Sequence, residues 1–197
     1  MDRERDTSLA GVSANGRLTA LTGALLVVLL GLMGITILSV RELLPQHLLL
    51  GFVLLPPLVL KMGSTGYRFA RYYMGDANYR EAGAPHVLLR ILGPLAVVST
   101  IAVFITGLEL WYFGLRFGSV WGEAHKLSFI VWGPLIGIHF LAHLGRTGEA
   151  VAAELSRSPG DQATARRSLV LGSLVAGAAL AAASLTYASP FIFFRDG

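Results

Sequence analysis

The sequence predicts an all-α membrane protein of about five transmembrane helices with a cytoplasmic N-terminus, on three observations. Apolar residues make up 54% of the 197 positions against 14% charged, and the mean hydropathy is +0.62. A soluble fold of this size carries about a quarter charged residues to cover its surface. The apolar residues fall in blocks close to the roughly 20 residues needed to cross hydrocarbon. Basic residues gather in alternate connections between those blocks, the pattern of a chain whose positive side chains resist translocation.

Taken in order, residues 1–16 (MDRERDTSLAGVSANG) form a polar tail. The first apolar block, 18–40, is too long for a signal-peptide core and has no small-residue cleavage site, so it reads as a retained helix. A short turn at 41–46 containing Pro45 leads into a second block, 47–62. Pro56 and Pro57 remove amide donors inside it, and their rings crowd the preceding turn, so a kink is expected. The third block is 87–113, the fourth 121–144 and the fifth 169–187. The chain thus divides into the tail, one transmembrane helical domain (17–190) and a short outer tail (191–197).

With the N-terminus inside, Arg3, Arg5, Arg17, Lys61, Arg68, Arg71, Arg80, Arg90, Arg146, Arg157, Arg166 and Arg167 lie at the cytoplasmic face, 12 of the 16 basic residues. Arg41, Arg116, Lys126 and Arg195 fall outside. Trp111, Tyr112 and Trp121 then cluster at the outer boundary, where amphipathic rings settle. The expectation is a multi-pass protein of the cell inner (plasma) membrane. The net charge of +4 follows from this asymmetry and implies no nucleic-acid partner. The inner stretch 63–85 is basic and tyrosine-rich. It reads either as an interfacial extension of the second span, anchored to anionic headgroups, or as a docking surface for a redox partner or a quinone headgroup.

Cysteine is absent, which excludes disulfides, Cys-ligated iron–sulfur clusters and CxxCH haem attachment. There are no duplicated halves and no paired midplane acids; Glu109, near the outer end of the third span, is the one acid at any depth. A small-molecule transporter is therefore poorly supported.

Histidine is where the chemistry concentrates. Ionisable groups inside membrane helices are costly, so they face the bundle interior and serve a ligand or a pathway. His47 opens the second span and His125 lies near the outer end of the fourth. Both spans run outside to inside, so the two imidazoles share one membrane level. His139 follows His125 by 14 residues, close to four helical turns, on the same face and roughly 21 Å further along the axis. Lys61 follows His47 by the same 14 residues. His143, four residues after His139, shares its face at the inner edge, and His86 precedes the third span. Each has a bland alternative: interfacial solvation for His47, His125, His143 and His86, and an interhelical hydrogen bond for His139.

The run HLLLGFVLLPPLVLK (47–61) resembles the H-x3-G-x9-H helix of the transmembrane di-haem cytochrome b superfamily. That group includes bacterial cytochromes b and the cytochrome b subunits of hydrogenases and formate dehydrogenases. HKLSFIVWGPLIGIH (125–139) resembles the partner helix. The likeness covers the second to fourth spans. It implies a four-helix haem-binding bundle plus one extra helix, with His47, His125 and His139 as iron ligands. Haem b would sit at the outer level, with a second at the inner level undecided. Gly51 would let the flat macrocycle approach the backbone.

Lys61 stands where the family has its second histidine. A neutral amine could ligate iron, but neutralising a lysine is costly outside a dry site; alternatively Lys61 snorkels to the inner interface. The inner site is then five-coordinate, served by His143 or His86, or lost. His143 could instead contact a propionate or relay protons. Arg41, Arg116 and Lys126 could meet propionates or act as ordinary interfacial charge. Gly133 and Gly137 form a small-xxx-small pair suited to tight packing. The function implied is electron transfer between a quinone and a partner protein, as a subunit of a larger oxidoreductase and not as a free-standing enzyme. The competing reading is a haem-free scaffold or assembly protein that keeps the bundle.

Overall fold

Proline, glycine and polar turns decide where the helices stop. The computed structural model describes residues 2–81, 83, 87–113, 120–156 and 161–193, with side chains outside 2–10, 161 and 186–193. Among these residues every element is an α-helix: α1 (Asp2–Leu38), α2 (Leu44–Tyr73), α3 (Ala77–Glu81), α4 (Val87–Phe113), α5 (Val120–Leu155) and α6 (Asp161–Phe193). All except α3 contain a stretch long and apolar enough to cross a membrane, giving five candidate spans. Large apolar side chains stand exposed along them, such as Val28, Ile35, Val59, Val98, Leu141 and Leu171. Apolar surface on this scale suits a bilayer and not water. His86, Arg116, Arg157, Arg195 and residues 194–197 of the outer tail lie outside the described residues.

Several helices exceed the expected spans. The tail expected at 1–16 is helical from Asp2 onward, because no proline interrupts the chain before Pro45 and the i−4 ladder continues past the hydrocarbon edge. α2 likewise continues to Tyr73, α5 to Leu155, and α6 begins at Asp161. Hydropathy measures membrane thickness, whereas hydrogen bonding ignores it.

The chain forms two compact units. The first comprises Met1–Ala84 and Gly145–Ser184. Here Ser39 closes the α1–α2 turn by accepting from the Glu42 and Leu43 amides at 3.0 and 2.9 Å. Pro45 occupies the first turn of α2, where its missing N–H costs nothing. The two helices then run side by side, with Asn15 Nδ2 donating to the Ser64 carbonyl at 3.2 Å. α6 meets α2 so closely that a Cβ at Gly177 would overlap the Val53 carbonyl. That carbonyl is the one Pro57 leaves without its helical donor, since a proline nitrogen carries no hydrogen for the residue four before it. Gly177 therefore brings backbone against an exposed acceptor, the geometry of a Cα–H···O contact.

Beyond α2, Gly75 adopts φ +93° and turns the chain into α3. Asp76 caps α3 by accepting from the Asn78 and Tyr79 amides at 3.0 and 3.4 Å, and it pairs with Arg71. Buried Tyr79 meets Tyr67 edge-on at 6.0 Å. Burial, followed by the neighbouring Tyr67, raises its phenol above the ordinary range and keeps it neutral.

The second unit comprises Pro85–Leu144 and Leu185–Gly197. Trp132 Nε1 on α5 donates to Thr100 Oγ1 on α4 at 2.9 Å. Phe113 stacks on Trp121 at 5.8 Å and 16°, drawing together the aromatic cluster expected at the outer boundary.

Candidate functional site

The site residues divide between the units: His47, Gly51 and Lys61 belong to the first, and His125, His139 and His143 to the second.

His47 sits in the first turn of α2, facing the last turn of α1. Its Nδ1 lies 2.9 Å from Thr36 Oγ1. The threonine hydroxyl has one proton and directs it to the Met33 carbonyl at 2.6 Å. The hydroxyl oxygen accepts from His47 in the Nδ1-protonated tautomer, in which Nε2 is the ring's acceptor nitrogen. Thr36 is buried, so the arrangement is held by packing.

His125 reaches the same state by a different route. Its Nδ1 lies 3.1 Å from the Val103 carbonyl of α4, and a carbonyl can only accept. Gly107 permits this approach: a Cβ there would stand 3.0 Å from His125 Cε1 and 3.3 Å from Nδ1. Thr106 Oγ1 adds a longer contact to Nδ1 at 3.3 Å and touches Ser128 Oγ at 3.0 Å. Ser128 in turn donates to the His125 carbonyl at 2.8 Å. Nδ1 of His125 therefore carries the proton of this contact. A histidine that donates one ring N–H to a fixed oxygen is oriented for coordination through the other nitrogen.

No protein-family model, curated protein or solved structure matches the chain. The chemistry of the donor set is thus what bears on function. Among the described residues no three His, Asp or Glu side chains gather to hold a metal ion. Axial ligation of haem iron asks for two nitrogen donors in separate positions, not a cluster.

His139 and His143 meet edge-on along α5, their rings 4.6 Å apart at 63°, as their four-residue spacing requires. Lys61 is elsewhere engaged. Its Nζ crosses to α1 and donates to the Thr19 carbonyl at 2.6 Å. Gly23 makes the room, since a Cβ there would stand 2.9 Å from Nζ. Thr19 and Ser64 hydroxyls, 3.0 Å apart, complete this polar seam between α1 and α2. At Gly51 a Cβ would point toward Met33 Cε of α1 at 3.9 Å, an ordinary packing distance. Gly133 and Gly137, expected at a tight crossing, would each carry a Cβ into space clear of described atoms to 4 Å. Lys126 pairs with Glu123 at 3.8 Å, both exposed.

Sequence reasoning missed Thr36, Gly107 and Glu154. Glu154 is fully buried near the end of α5 and accepts from Arg166 Nη2 at 3.0 and 2.8 Å. Arg167 donates to the Glu154 backbone carbonyl at 2.6 Å, capping α5 with positive charge. Gly107 could have been noticed as an interruption in an otherwise bulky span. Thr36 and Glu154 carry no local signal, because their partners arrive only through tertiary folding.

Proposed function

We propose that this chain is a membrane b-type cytochrome that passes electrons between a quinone pool and a redox partner, as the membrane subunit of a larger oxidoreductase. The observation that carries the reading is the matched preparation of His47 and His125. Each brings Nδ1 to an oxygen of the preceding helix, Thr36 Oγ1 at 2.9 Å and the Val103 carbonyl at 3.1 Å, a contact that would orient Nε2 for coordination. In this proposal His47 and His125 each supply an axial ligand to haem b at the outer level, as the resemblance implies. Haem, when bound, supplies the one-electron chemistry; the protein supplies ligands, orientation and a low dielectric. Thr36 orients the His47 ring and the Val103 carbonyl orients the His125 ring. The resemblance of 47–61 and 125–139 to the di-haem cytochrome b helices supports the same reading.

The proposal carries one haem. His139 is the expected inner ligand, but Lys61, its expected counterpart, is committed to the Thr19 carbonyl. The same observation favours the second reading, a scaffold that keeps the bundle and binds no haem. The proposed orientation, with the N-terminus in the cytoplasm and the chain in the inner membrane, rests on the 12 basic residues of 16 expected at that face.

Reduced-minus-oxidised spectra and a pyridine haemochrome assay on the purified chain distinguish the two readings. The cytochrome gives a sharp α band, about one haem per chain, and loss of the band in His47→Ala and in His125→Ala. A featureless spectrum after haem-replete expression would refute it and leave the scaffold.

A further inference from the structure

α2 is longer than the membrane it crosses. Its 30 residues extend about 45 Å, against about 30 Å of hydrocarbon. Counted from Leu44, about 20 residues suffice for the crossing, so 64–73 form a rigid helical projection through the headgroup layer at the carboxyl-terminal end.

That projection has two unlike sides. Tyr67 and Arg71 turn toward the α3 hairpin: Tyr67 packs on Tyr79 at 6.0 Å, while Arg71 pairs with Asp76 and lies 5.9 Å over the Tyr67 ring. At about 100° per residue, Arg68, Phe69, Tyr72 and Tyr73 fall within one sector of about 140° on the other side. Phe69 and Tyr73 meet at 4.5 Å with their rings tilted 45°, and are 55% and 56% exposed, followed by Met74 at 82%. Arg68 is exposed beside them, and so is Arg80 on α3, whose Nε donates a long hydrogen bond to the Tyr72 carbonyl at 3.4 Å. Asp76, the acid nearest this projection, is already matched by Arg71.

We propose that this aromatic and basic sector binds anionic phospholipid headgroups, with the rings in the interfacial layer and the Arg68 and Arg80 guanidiniums on lipid phosphate. Two features select lipid as the occupant. The continuous helix fixes these side chains at headgroup depth, and ring-plus-guanidinium complements an anionic interface. A guanidinium meets phosphate through two parallel N–H donors, which an ammonium does not reproduce. The proposal does not depend on haem.

The test is lipid retention by the full-length chain, released from nanodiscs of equal phosphatidylglycerol and phosphatidylcholine and weighed by native mass spectrometry. Wild type retains phosphatidylglycerol preferentially. The preference falls roughly five-fold in Arg68→Gln and again by a similar factor when Arg80→Gln is added. Arg68→Lys, which keeps the charge and loses the paired donors, restores only part of it, and Arg41→Gln, at the opposite end of the span, keeps all of it. Circular dichroism confirms that each variant retains its helix. Equal retention of the two lipids by wild type overturns the proposal, as does an equal loss in Arg41→Gln. Unchanged retention in the double variant, together with loss of a co-purifying soluble protein, also overturns it and assigns the sector to a protein partner.

Discussion

Replacing Glu154 with alanine would leave Arg166 charged and buried with nothing to neutralise it. In the folded chain the carboxylate is fully inaccessible and the Arg166 side chain is 9% exposed. Both carboxylate oxygens accept from one guanidinium nitrogen, at 3.0 and 2.8 Å. Removing one partner of such a pair costs about 3–5 kcal/mol, most of it the penalty on the charge left behind. Arg167 changes this figure little. Its Nε is 3.7 Å from the carboxylate and its side chain is 36% exposed, so solvent screening limits that pair to well under about 1 kcal/mol. Its bond to the Glu154 backbone carbonyl survives the substitution. The companion variant Glu154→Leu with Arg166→Met removes both charges, and replacing a buried pair by apolar side chains of similar volume is often neutral or better. The double variant should therefore recover to within about 1–2 kcal/mol of wild type. Denaturant titration in mixed micelles, followed by far-ultraviolet circular dichroism, measures all three proteins. A single variant as stable as wild type, or a double variant no better than the single, would show that the pair does not join α5 to α6 as described.

Three further outcomes follow. Gly107→Ala places a methyl 3.0 Å from His125 Cε1, displacing the ring from the Val103 carbonyl; under the proposed cytochrome function, haem content measured by pyridine haemochrome should fall several-fold, and unchanged content would count against Gly107 as the seat of that imidazole. Gly177→Val should separate α2 from α6 and cost about 1–3 kcal/mol as overpacking, read by the same titration; a neutral result would show that the backbones do not meet there. Lys61→Met removes one interhelical hydrogen bond and one desolvated ammonium together, so it should change stability by about 1 kcal/mol or less, whereas Gly23→Val forces the retained ammonium off Thr19 and should cost more. A reversed order would mean that Gly23 does not serve the lysine.

The helical class and the number of spans were legible because both depend on composition summed over long windows. Of the helix ends expected at the outer face, four lie within three residues of the structure, 40 against Leu38, 47 against Leu44, 113 against Phe113 and 121 against Val120, while the fifth, 187, falls six residues short of Phe193. Turns and aromatic belts mark those four positions in the sequence itself. The ends expected inside overrun, at Asp2, Tyr73, Leu155 and Asp161, because polar residues such as Arg68 and Glu149 are good helix formers that hydropathy discounts. Only α4 starts as expected on that side, at Val87. For the histidines, spacing along one helix was readable and their acceptors were not. Thr36 lies 11 residues from His47 and Val103 lies 22 from His125, and only the folded chain brings them together. Lys61 illustrates the same limit: its depth was apparent, while the Thr19 carbonyl that accepts its hydrogen bond, 42 residues away, was not.

The meeting of Gly177 with Val53 works as a height gauge. Sliding α6 along α2 by one turn, about 5.4 Å, would bring Ser173 or Ala181 to the bare carbonyl above Pro57. Either would drive a methylene or methyl into an oxygen that leaves space for hydrogen alone. The two rods therefore have a single vertical setting, and a proline on one is matched to a glycine on the other. Exchanging either residue alone would release a vernier that lipid, pressing equally at every depth, has no means to reset.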